Sequence, residues 1–431
     1  MKKPINNNYC ANVVKVSNIV ELENCDNVQH AIILGNKIVV SKEVKINDIG
    51  LFFPVETKLS HEFLSNNNLY RHNELNIDKN KKGYFEDNGR IRCVKFRGNK
   101  SEGFFIPIES LNFTNHNEKL KLNDEFDEIN NIKICEKYVI ERNNLKSQNR
   151  NNKQNKKIKR FNRLIDNQFR FHIDTSQLYK NMHMLKPESL ISITSKLHGT
   201  SLISSNILVK RKLNTFEKIL KKLGIKINEF EYDYIYSSRK VVKNQYINKE
   251  VNHYYKKDIW EEGHKILKPF LQKGMTIYAE IVGYIDNVKM IQKNYDYGCK
   301  PNEFKVYIYR ITYTNFDGKV FEWSMKQIQD WCKENRLNAV PLLYYGYIKD
   351  LYNLFYNEEQ WNDNFLEFLK QKYLEGDCIY CNNKVPFEGI VLRLESLDIE
   401  VFKLKSERFY LQETKQLDSG ERNIEDEESL C

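Results

Sequence analysis

The sequence predicts an α+β protein in which a small N-terminal β-barrel precedes a larger domain built on antiparallel sheets. Between residue 9 and about residue 137, short β-rich runs alternate with turns rich in Gly, Asn and Asp, a pattern typical of small barrels. After residue 166 the β-rich runs are longer, and few segments have helical spacing. A polar, basic stretch separates the two regions, so we expect folded domains joined by a linker.

The predicted boundaries follow these changes in composition. We expect a barrel domain over residues 1–137, a basic linker over 138–165, a catalytic α+β domain over 166–412 and an acidic tail over 413–431. The linker carries nine Lys or Arg and no acid between residues 142 and 163, as flexible basic tethers do. The barrel strands are predicted at residues 11–16, 31–40, 51–55, 90–96 and 104–107. Helical spacing appears at residues 213–223, 325–334 and 361–374.

Composition narrows the possible functions. The chain has 431 residues, a net charge of +10 and a pI of about 8.9, which favours a polyanionic partner. Hydrophobic residues make up 41% of the chain, which excludes a disordered protein. We expect an intracellular protein, because no apolar run is long enough for a membrane span or a signal peptide. A monomer is the default expectation.

Nine cysteines are scattered along the chain, which is typical of free thiols in an intracellular protein. Cys378 and Cys381 have the CxxC spacing of zinc and redox sites. No second CxxC or histidine pair completes a zinc site, and ordinary thiols are the simpler interpretation.

The segment from Lys196 to Ser201 carries the strongest chemical signal. Lys196 lies where one β-rich run ends, and Gly199 allows a tight turn into the next run. A lysine in a partly desolvated site can lose its proton near neutral pH and act as a nucleophile. The Gly-Thr-Ser backbone can bring N–H donors close to a phosphate. Without further matching segments, Lys196 would more simply be a surface lysine in a hairpin.

Further charged and aromatic residues follow in order along β-rich runs. Glu280 interrupts an apolar run, Tyr309 lies on a strand with alternating aromatics, and Glu388 opens another strand. Lys403 and Lys405 alternate, so both are expected on one face of a strand. Each of these residues alone would usually be an ordinary surface residue, and their order and spacing make the signal.

This ordered set resembles the nucleotidyl motifs of the covalent nucleotidyltransferases, which are DNA ligases, RNA ligases and mRNA capping enzymes. In that resemblance, motif I runs from Lys196 to Gly199, motif Ia includes Arg239, and motif III contains Glu280. Motif IIIa contains Tyr309, and motif IV contains Glu388. Motif V contains Lys403 and Lys405. The resemblance implies an antiparallel-sheet nucleotidyltransferase (adenylyltransferase) domain.

The chain is most similar to ATP-dependent RNA ligases of the Deinococcus/Naegleria type. Its Lys-x-His-Gly-Thr motif I resembles theirs, and residues 50–57, 67–70 and 95–103 resemble their N-terminal module. That type has an OB domain before the nucleotidyltransferase domain and joins 3′-OH to 5′-phosphate ends. Tyr309-Arg310 departs from the Phe-Asp common in motif IIIa, although tyrosine can stack as phenylalanine does.

The resemblance implies a role for each motif residue. Lys196 would be the nucleophile that carries AMP, with Lys403 and Lys405 as catalytic cations. Glu388, and Glu280 with it, would hold Mg²⁺ or Mn²⁺. The residues implied in ATP binding are His198, Gly199, Arg239, Glu280, Tyr309, Glu388, Lys403 and Lys405. Tyr309 would stack on adenine, and Arg239 would contact a phosphate.

A basic cluster in the N-terminal region is predicted to bind RNA. Its members are Arg90, Arg92, Lys95, Arg97 and Lys100. The expected partner is RNA, as a nicked duplex or broken ends, or an RNA/DNA hybrid, in RNA repair.

Three alternative functions stay open. The first is a DNA ligase, which is disfavoured by motif I and by the lack of a C-terminal OB domain. The others are a GTP-using capping enzyme and a non-catalytic RNA-binding protein on a ligase scaffold.

Overall fold

A computed structural model describes residues 1–23, 25–96, 98–117, 119–140, 162–172, 175–243, 258–352 and 358–420. Most of the predicted basic linker, and the end of the predicted acidic tail, lie outside these residues. We call the part up to residue 140 the N-terminal module. The part from residue 162 onward is called the catalytic module, because it contains the residues that the sequence predicts to be catalytic. Both have mixed α and β structure.

The N-terminal module is built from short strands and one α-helix. The strands are β1 Ala11–Lys15, β2 Asn18–Glu21, β3 Val28–Ile33, β4 Asn36–Ser41, β5 Ile49–Pro54, β6 Thr57–Leu59, β7 Val94–Phe96, β8 Asn99–Ser101, β9 Gly103–Pro107, β10 Glu125–Phe126, β11 Glu128–Ile129, β12 Ile132–Lys133 and β13 Cys135–Lys137. Helix α1 is His61–Asn66, and 3₁₀ turns cover Asn7–Tyr9, Asn73–Leu75 and Ile108–Thr114.

The predicted N-terminal β-barrel (OB-like) module does not appear as a closed barrel in the described residues. Strands β10, β1, β5 and β9 form one sheet in that order, β2, β3 and β4 form another, and the remaining strands pair in twos. The predicted run at 31–40 is two strands, because Leu34 and Gly35 both have positive φ and turn the chain between β3 and β4. The β3–β4 hairpin packs Ala31 and Ile38 into a core shared with the catalytic module.

The catalytic module contains longer strands and most of the helices. Its strands are β14 Ser176–Gln177, β15 Leu190–Lys196, β16 Thr200–Lys210, β17 Phe230–Ser237, β18 Met275–Gly283, β19 Phe304–Thr314, β20 Val320–Glu322, β21 Asn338–Ala339, β22 Leu342–Tyr347, β23 Gly389–Leu394 and β24 Val401–Lys405. Its helices are α2 Thr215–Lys222, α3 Ile259–Leu267, α4 Met325–Glu334, α5 Ile348–Leu351, α6 Glu358–Tyr373 and α7 Glu407–Asp418, and its 3₁₀ turns are Leu178–Lys180, Met182–Met184 and Lys268–Phe270.

Two largely antiparallel sheets form the catalytic module. One has the order β14-β24-β23-β15-β22, and the other has the order β17-β16-β18-β19-β20, with β21 beside β19. Lys196 lies opposite Gly389 on β23, and Gly389 lies opposite Lys405 on β24. Residues 197–199 then carry the chain from the first sheet to β16 in the second. The predicted nucleophile therefore lies where the two sheets meet.

The three segments with helical spacing are helices in the structure, as α2, α4 and α6. Asn214 and Ser324 begin α2 and α4 with capping boxes, which satisfy the first free N–H groups of each helix. Helix α7 begins after Ser406, whose hydroxyl accepts from the Phe409 amide at 3.1 Å. It crosses the predicted boundary at residue 413, so the predicted acidic tail starts inside a helix.

Arg90 joins the two modules in a buried ion-pair network. Its guanidinium donates to both carboxylate oxygens of Glu56 at 2.7 Å and to Asp418 of α7 at 2.8 Å. The Arg90 side chain is 1% exposed, so the predicted RNA contact by Arg90 is wrong. Dense basic residues on a short segment suggested a solvated face, but Arg90 points inward to satisfy the buried Glu56 carboxylate.

We expect Arg90→Ala to destabilise the protein by about 3–5 kcal/mol, because it leaves the Glu56 carboxylate buried without its partner. Urea unfolding followed by circular dichroism measures the change. The exposed Lys95, on the neighbouring strand β7, provides the matched control, and Lys95→Ala should change the free energy of unfolding by less than about 0.5 kcal/mol. Equal effects of the two substitutions would contradict the structural role of Arg90.

Candidate active site

A cavity of about 970 Å³ opens between the two sheets of the catalytic module. Such a volume is typical of a site for a nucleotide-sized ligand. The structure brings together here every residue that the sequence indicated for catalysis or nucleotide binding: Lys196, His198, Gly199, Arg239, Glu280, Tyr309, Glu388, Lys403 and Lys405. The order of the motifs along the chain thus corresponds to one place in the fold.

Lys196 and Glu388 form the central ion pair of the cavity. The Lys196 Nζ lies 2.7 Å from Glu388 Oε1. Glu388 is 3% exposed, and its other carboxylate oxygen, Oε2, is buried with no hydrogen-bond partner among the described residues. Burial opposes the charged form of Lys196, but the Glu388 carboxylate outweighs burial and raises the pKa of Lys196. The lysine is therefore held in place as an ammonium.

Further cations surround this pair. Burial, together with Lys405, Lys196 and Arg239, lowers the pKa of Lys403 well below its usual value. Burial has the same tendency at Lys405, but Glu413 and Glu388 outweigh it and raise the pKa of that lysine. Lys405 Nζ lies 3.2 Å from Glu413 of α7 and 4.0 Å from Glu388. A cluster with this excess of positive charge is suited to bind a polyanion.

Gly199 and Glu280 fix the loop after Lys196. The Gly199 amide donates to Glu280 Oε1 at 3.0 Å, and the Gly199 carbonyl accepts from Gln292 at 2.7 Å. A Cβ atom at residue 199 would lie 2.2 Å from the carbonyl oxygen of Ile281, so only glycine fits. Gln292 is a positioning residue that the sequence did not reveal, because a lone glutamine carries no pattern.

Tyr309 lies in the cavity beside a half-buried histidine. Its hydroxyl is 3.2 Å from Ser201 Oγ and 3.3 Å from His172 Nδ1, which holds the phenol ring in one orientation. Burial, and then Arg239, Arg310 and other cations, lower the pKa of His172 to about 3, so the imidazole is neutral at physiological pH. His172 was missed as a site residue because its position depends on long-range packing.

His198 packs between aromatic rings. Its ring centroid lies 4.9 Å from that of Tyr295 and 5.0 Å from that of Phe409, both in edge-on arrangements. The His198 amide donates to the Tyr297 hydroxyl at 2.6 Å. These contacts fix the motif I loop in the cavity wall, consistent with a positioning role for His198.

Buried charges tie the two sheets together at the other side of the cavity. Arg310 on β19 donates two hydrogen bonds to Glu322, at 3.0 and 2.7 Å. Arg393 on β23 lies 3.5 Å from Glu322 and 3.5 Å from Glu395. Arg310 therefore has a structural partner, which explains why an arginine can follow Tyr309 in this chain.

The N-terminal module supplies part of the cavity wall. Tyr9, Lys137 and Tyr138 line the same cavity as the motif residues. The Lys137 Nζ lies over the Tyr9 ring, 5.6 Å from its centroid. The linear order of the chain gave no sign of this, because about sixty residues separate Lys137 from motif I.

None of the described members of the predicted RNA-binding cluster lines the cavity wall. Lys95 is exposed on β7, whereas Lys100 pairs with Glu407 of α7 at 2.8 Å. Arg92 is half-buried and lies 3.7 Å from Asp418. Arg97 is outside the described residues.

The residues of the cavity are compatible with a divalent cation only in part. Within the described ranges, no group of three or more His, Cys, Asp or Glu side chains could hold a metal ion. The unpartnered Glu388 Oε2 is nevertheless the kind of hard oxygen ligand that Mg²⁺ and Mn²⁺ use. Glu388 would therefore be the principal protein ligand, with water and phosphate oxygens completing the coordination.

None of the helices in the described part of the chain has both the length and the apolar character that a bilayer crossing requires.

Comparisons with known proteins agree with this geometry. A family model described as RNA ligase matches residues 190–405, which is half of the chain. The Naegleria gruberi RNA ligase with PPi superposes with a TM-score of 0.58 at 15% identity, covering 96% of this chain and 100% of that one. A mutant of that ligase with ATP and Mn gives a TM-score of 0.57 at 14% identity, covering 93% and 98%. No curated protein sequence matches the chain.

Because His172 is neutral in the folded protein, the stability of the protein depends on pH. Its pKa is about 3 in the folded protein and near 6.5 in the unfolded chain, so the unfolded state binds the proton first as pH falls. The contribution of neutral His172 to the stability of the folded protein is complete above pH 6.5, and it is lost as pH falls toward 3. We expect His172→Gln to reduce the fall in melting temperature between pH 7.5 and pH 5 by about 2 °C or more.

Thermal unfolding of the wild type and two variants at both pH values tests this. His183→Gln changes an exposed histidine and should leave the fall as in the wild type. A His172→Gln variant with the wild-type pH dependence would show that this imidazole is not held neutral.

Proposed function

The chain belongs to the RNA ligase family, and on that basis we propose that it seals 3′-OH and 5′-phosphate RNA ends with ATP, through an AMP adduct on Lys196. The proposal rests on the ion pair between Lys196 and the buried Glu388. This pair faces a nucleotide-sized cavity that is lined by further cations. A lone surface lysine has none of these features.

The first step is nucleotidyl transfer to Lys196. The neutral Nζ attacks the α-phosphorus of ATP, a P–N bond forms, and the bond to the β-phosphate oxygen breaks to release pyrophosphate. Because Glu388 holds Lys196 as an ammonium, one proton must leave Nζ before attack. Arg239, Lys403 and Lys405 are placed to offset the negative charge that develops on the α-phosphate.

A divalent cation bound at Glu388 would supply positive charge that lowers the pKa of Lys196 and balances the phosphate charge. We take Mg²⁺ or Mn²⁺ as the ion, with Glu388 as the main ligand and Glu280 as a secondary one. The Naegleria gruberi structures with ATP or AMP and Mn support this assignment by fold similarity. Glu280 already binds the Gly199 amide, so we expect it to act mainly by holding the motif I loop.

We expect the base of the nucleotide to lie against Tyr309. Its ring is held by Ser201 and His172, so it can stack on adenine without loss of side-chain entropy. A neutral His172 can offer either a donor or an acceptor to the base edge. We propose that these contacts select ATP over GTP.

The later steps use RNA. AMP passes from Lys196 to the RNA 5′-phosphate, which forms a 5′-5′ pyrophosphate bond, and the 3′-OH then attacks that phosphate and releases AMP. We propose nicked duplex RNA or broken ends as substrates and RNA repair as the setting. Among the predicted RNA contacts, the exposed Lys95 fits best, whereas Arg92 and Lys100 lie beside acidic side chains.

Lys196→Ala should abolish covalent labelling by [α-³²P]ATP in the presence of Mg²⁺ or Mn²⁺, because no other residue supplies the nucleophile. Labelled protein is read on a denaturing gel, and [α-³²P]GTP is run beside it. Lys333→Ala, on the exposed side of α4, is the matched control and should label as the wild type does. Label from GTP alone would indicate a capping enzyme, and label on Lys196→Ala would exclude this nucleophile.

Lys95→Ala should weaken binding to nicked duplex RNA similarly for different sequences, since a phosphate contact carries no sequence information. The slope of log K against log[salt] should decrease in magnitude by about 0.7 to 0.9 for the one lost phosphate contact. Fluorescence anisotropy between low and moderate salt measures the slope, with Lys333→Ala as the control. An unchanged slope would place the RNA path elsewhere.

A further inference from the structure

Cys378 and Cys381 close a turn beside the candidate active site. The Cys381 amide donates to the Cys378 carbonyl at 3.3 Å, which closes a four-residue turn with a cysteine at each end. Cys378 is 4% exposed and Cys381 is half-buried, whereas Ile379 at the tip of the turn is 82% exposed. The dithiol therefore lies just beneath a solvent-exposed tip.

The geometry of this turn suits a disulfide. A four-residue turn with this hydrogen bond brings its end Cα atoms within about 7 Å, and disulfides usually span Cα separations of about 4.4–6.8 Å. The Cys381 thiol is also the largest influence on the pKa of Cys378, which it lowers. Closing the bond therefore needs only a small local adjustment.

Hydrogen bonds connect this turn to both ends of the Lys196 loop. Tyr380, between the two cysteines, has its hydroxyl 2.9 Å from Ser195 Oγ, on the residue before Lys196. On the other side, the Tyr297 hydroxyl accepts from the His198 amide at 2.6 Å, and the adjacent Asp296 accepts from the Asn382 amide, which directly follows Cys381. A change at the turn is thus transmitted to the residues on either side of the nucleophile.

The same segment is attached to the second sheet through Asp296. Its carboxylate accepts from the amides of Asn382 and Asn383, at 2.9 and 3.0 Å. These bonds hold the outer end of the turn in place. Contraction across Cys378 and Cys381 would therefore be accommodated at Tyr380, which lies between them.

We propose that Cys378 and Cys381 form a reversible oxidation site, and that peroxide converts them to a disulfide that slows adenylylation of Lys196. The oxidation itself does not depend on the proposed function, whereas its effect on catalysis rests on it. Tyr380 would act as a positioning residue, because it reaches Lys196 only through Ser195.

The reaction balances with hydrogen peroxide as the oxidant. The Cys378 thiol loses a proton, and its thiolate attacks one peroxide oxygen. The O–O bond breaks, and the departing hydroxide takes up that proton, so that a sulfenic acid and one water result. The Cys381 sulfur then attacks the Cys378 sulfur, the S–O bond breaks, and a second water leaves. Two thiols and one peroxide thus give one disulfide and two waters.

The other described cysteines provide a contrast. Burial raises the pKa of Cys10 to about 12 and that of Cys332 to about 12, which disfavours their reactive thiolates. The hydrogen bond from Cys381 instead lowers the pKa of Cys378. A zinc site is not supported, because the described residues contain no group of three or more metal-ligating side chains.

The test exposes purified protein to hydrogen peroxide, removes the excess with catalase, and divides each sample. One part is alkylated and digested, so that mass spectrometry maps disulfides. The other part is assayed for the rate of lysyl-AMP formation with [α-³²P]ATP, before and after dithiothreitol. We expect a Cys378–Cys381 disulfide, an adenylylation rate reduced at least tenfold, and full recovery after reduction.

Cys378→Ser should keep the rate of its untreated form after peroxide, and Cys381→Ser serves if that variant does not fold. Cys332→Ser removes another buried cysteine and should respond as the wild type does. Tyr380→Phe should form the disulfide but show a smaller reduction in rate, because it already lacks the bond to Ser195.

Absence of the Cys378–Cys381 disulfide, or a disulfide with an unchanged adenylylation rate, would overturn the proposal. If reduced wild-type protein forms no lysyl-AMP, the proposed function fails instead. The oxidation site is then decided by the mapped disulfide alone, so the two failures are distinguishable.

Discussion

The ion pair between Lys196 and Glu388 is the interaction on which the arrangement of the site depends. It joins the end of β15 to the start of β23, at the level where Gly389 lies opposite both Lys196 and Lys405. The ends of three adjacent strands, β15, β23 and β24, therefore meet at this level of the sheet, although β15 is far from the other two in sequence. Glu388 is buried, so its negative charge requires a cation, and Lys196 supplies it.

Excess positive charge is the second constraint on the site. Burial, and then the neighbouring Lys405, Lys196 and Arg239, lower the pKa of Lys403. An entering polyphosphate would relieve this repulsion, so part of the binding free energy for the nucleotide is already prepared by the fold. Lys137 of the N-terminal module and Glu413 of α7 also line the cavity. Packing of the N-terminal module against the catalytic module therefore completes the cavity wall.

Much of the site could be predicted because its residues recur in a fixed order on β-rich runs. Lys196, Glu280, Tyr309 and Glu388 each interrupt an apolar pattern, and the structure places all of them in one cavity. Helix α4 was predicted with its exact bounds because its apolar spacing and its cap agree.

Other features could not be predicted, since they depend on pairing between distant segments. Sequence patterns indicated strands in the N-terminal region but not which strands pair, and a closed barrel was expected where separate sheets form. Arg90 looked like its basic neighbours, and only the position of Glu56 in the fold shows that it is buried. His172, Gln292 and Glu413 became site residues through contacts across the cavity, which no local pattern encodes.

The most direct test of this account is the pKa of Lys196 in the ATP-free protein, measured by competitive acylation of lysines across a pH series with mass spectrometry of the Lys196 peptide. Glu388→Gln should lower this pKa. Burial and Lys405 both disfavour the Lys196 ammonium, and the variant lacks the Glu388 carboxylate that opposes them. A pKa that is the same in the wild type and in Glu388→Gln would contradict the claim that Glu388 holds Lys196 charged and in place.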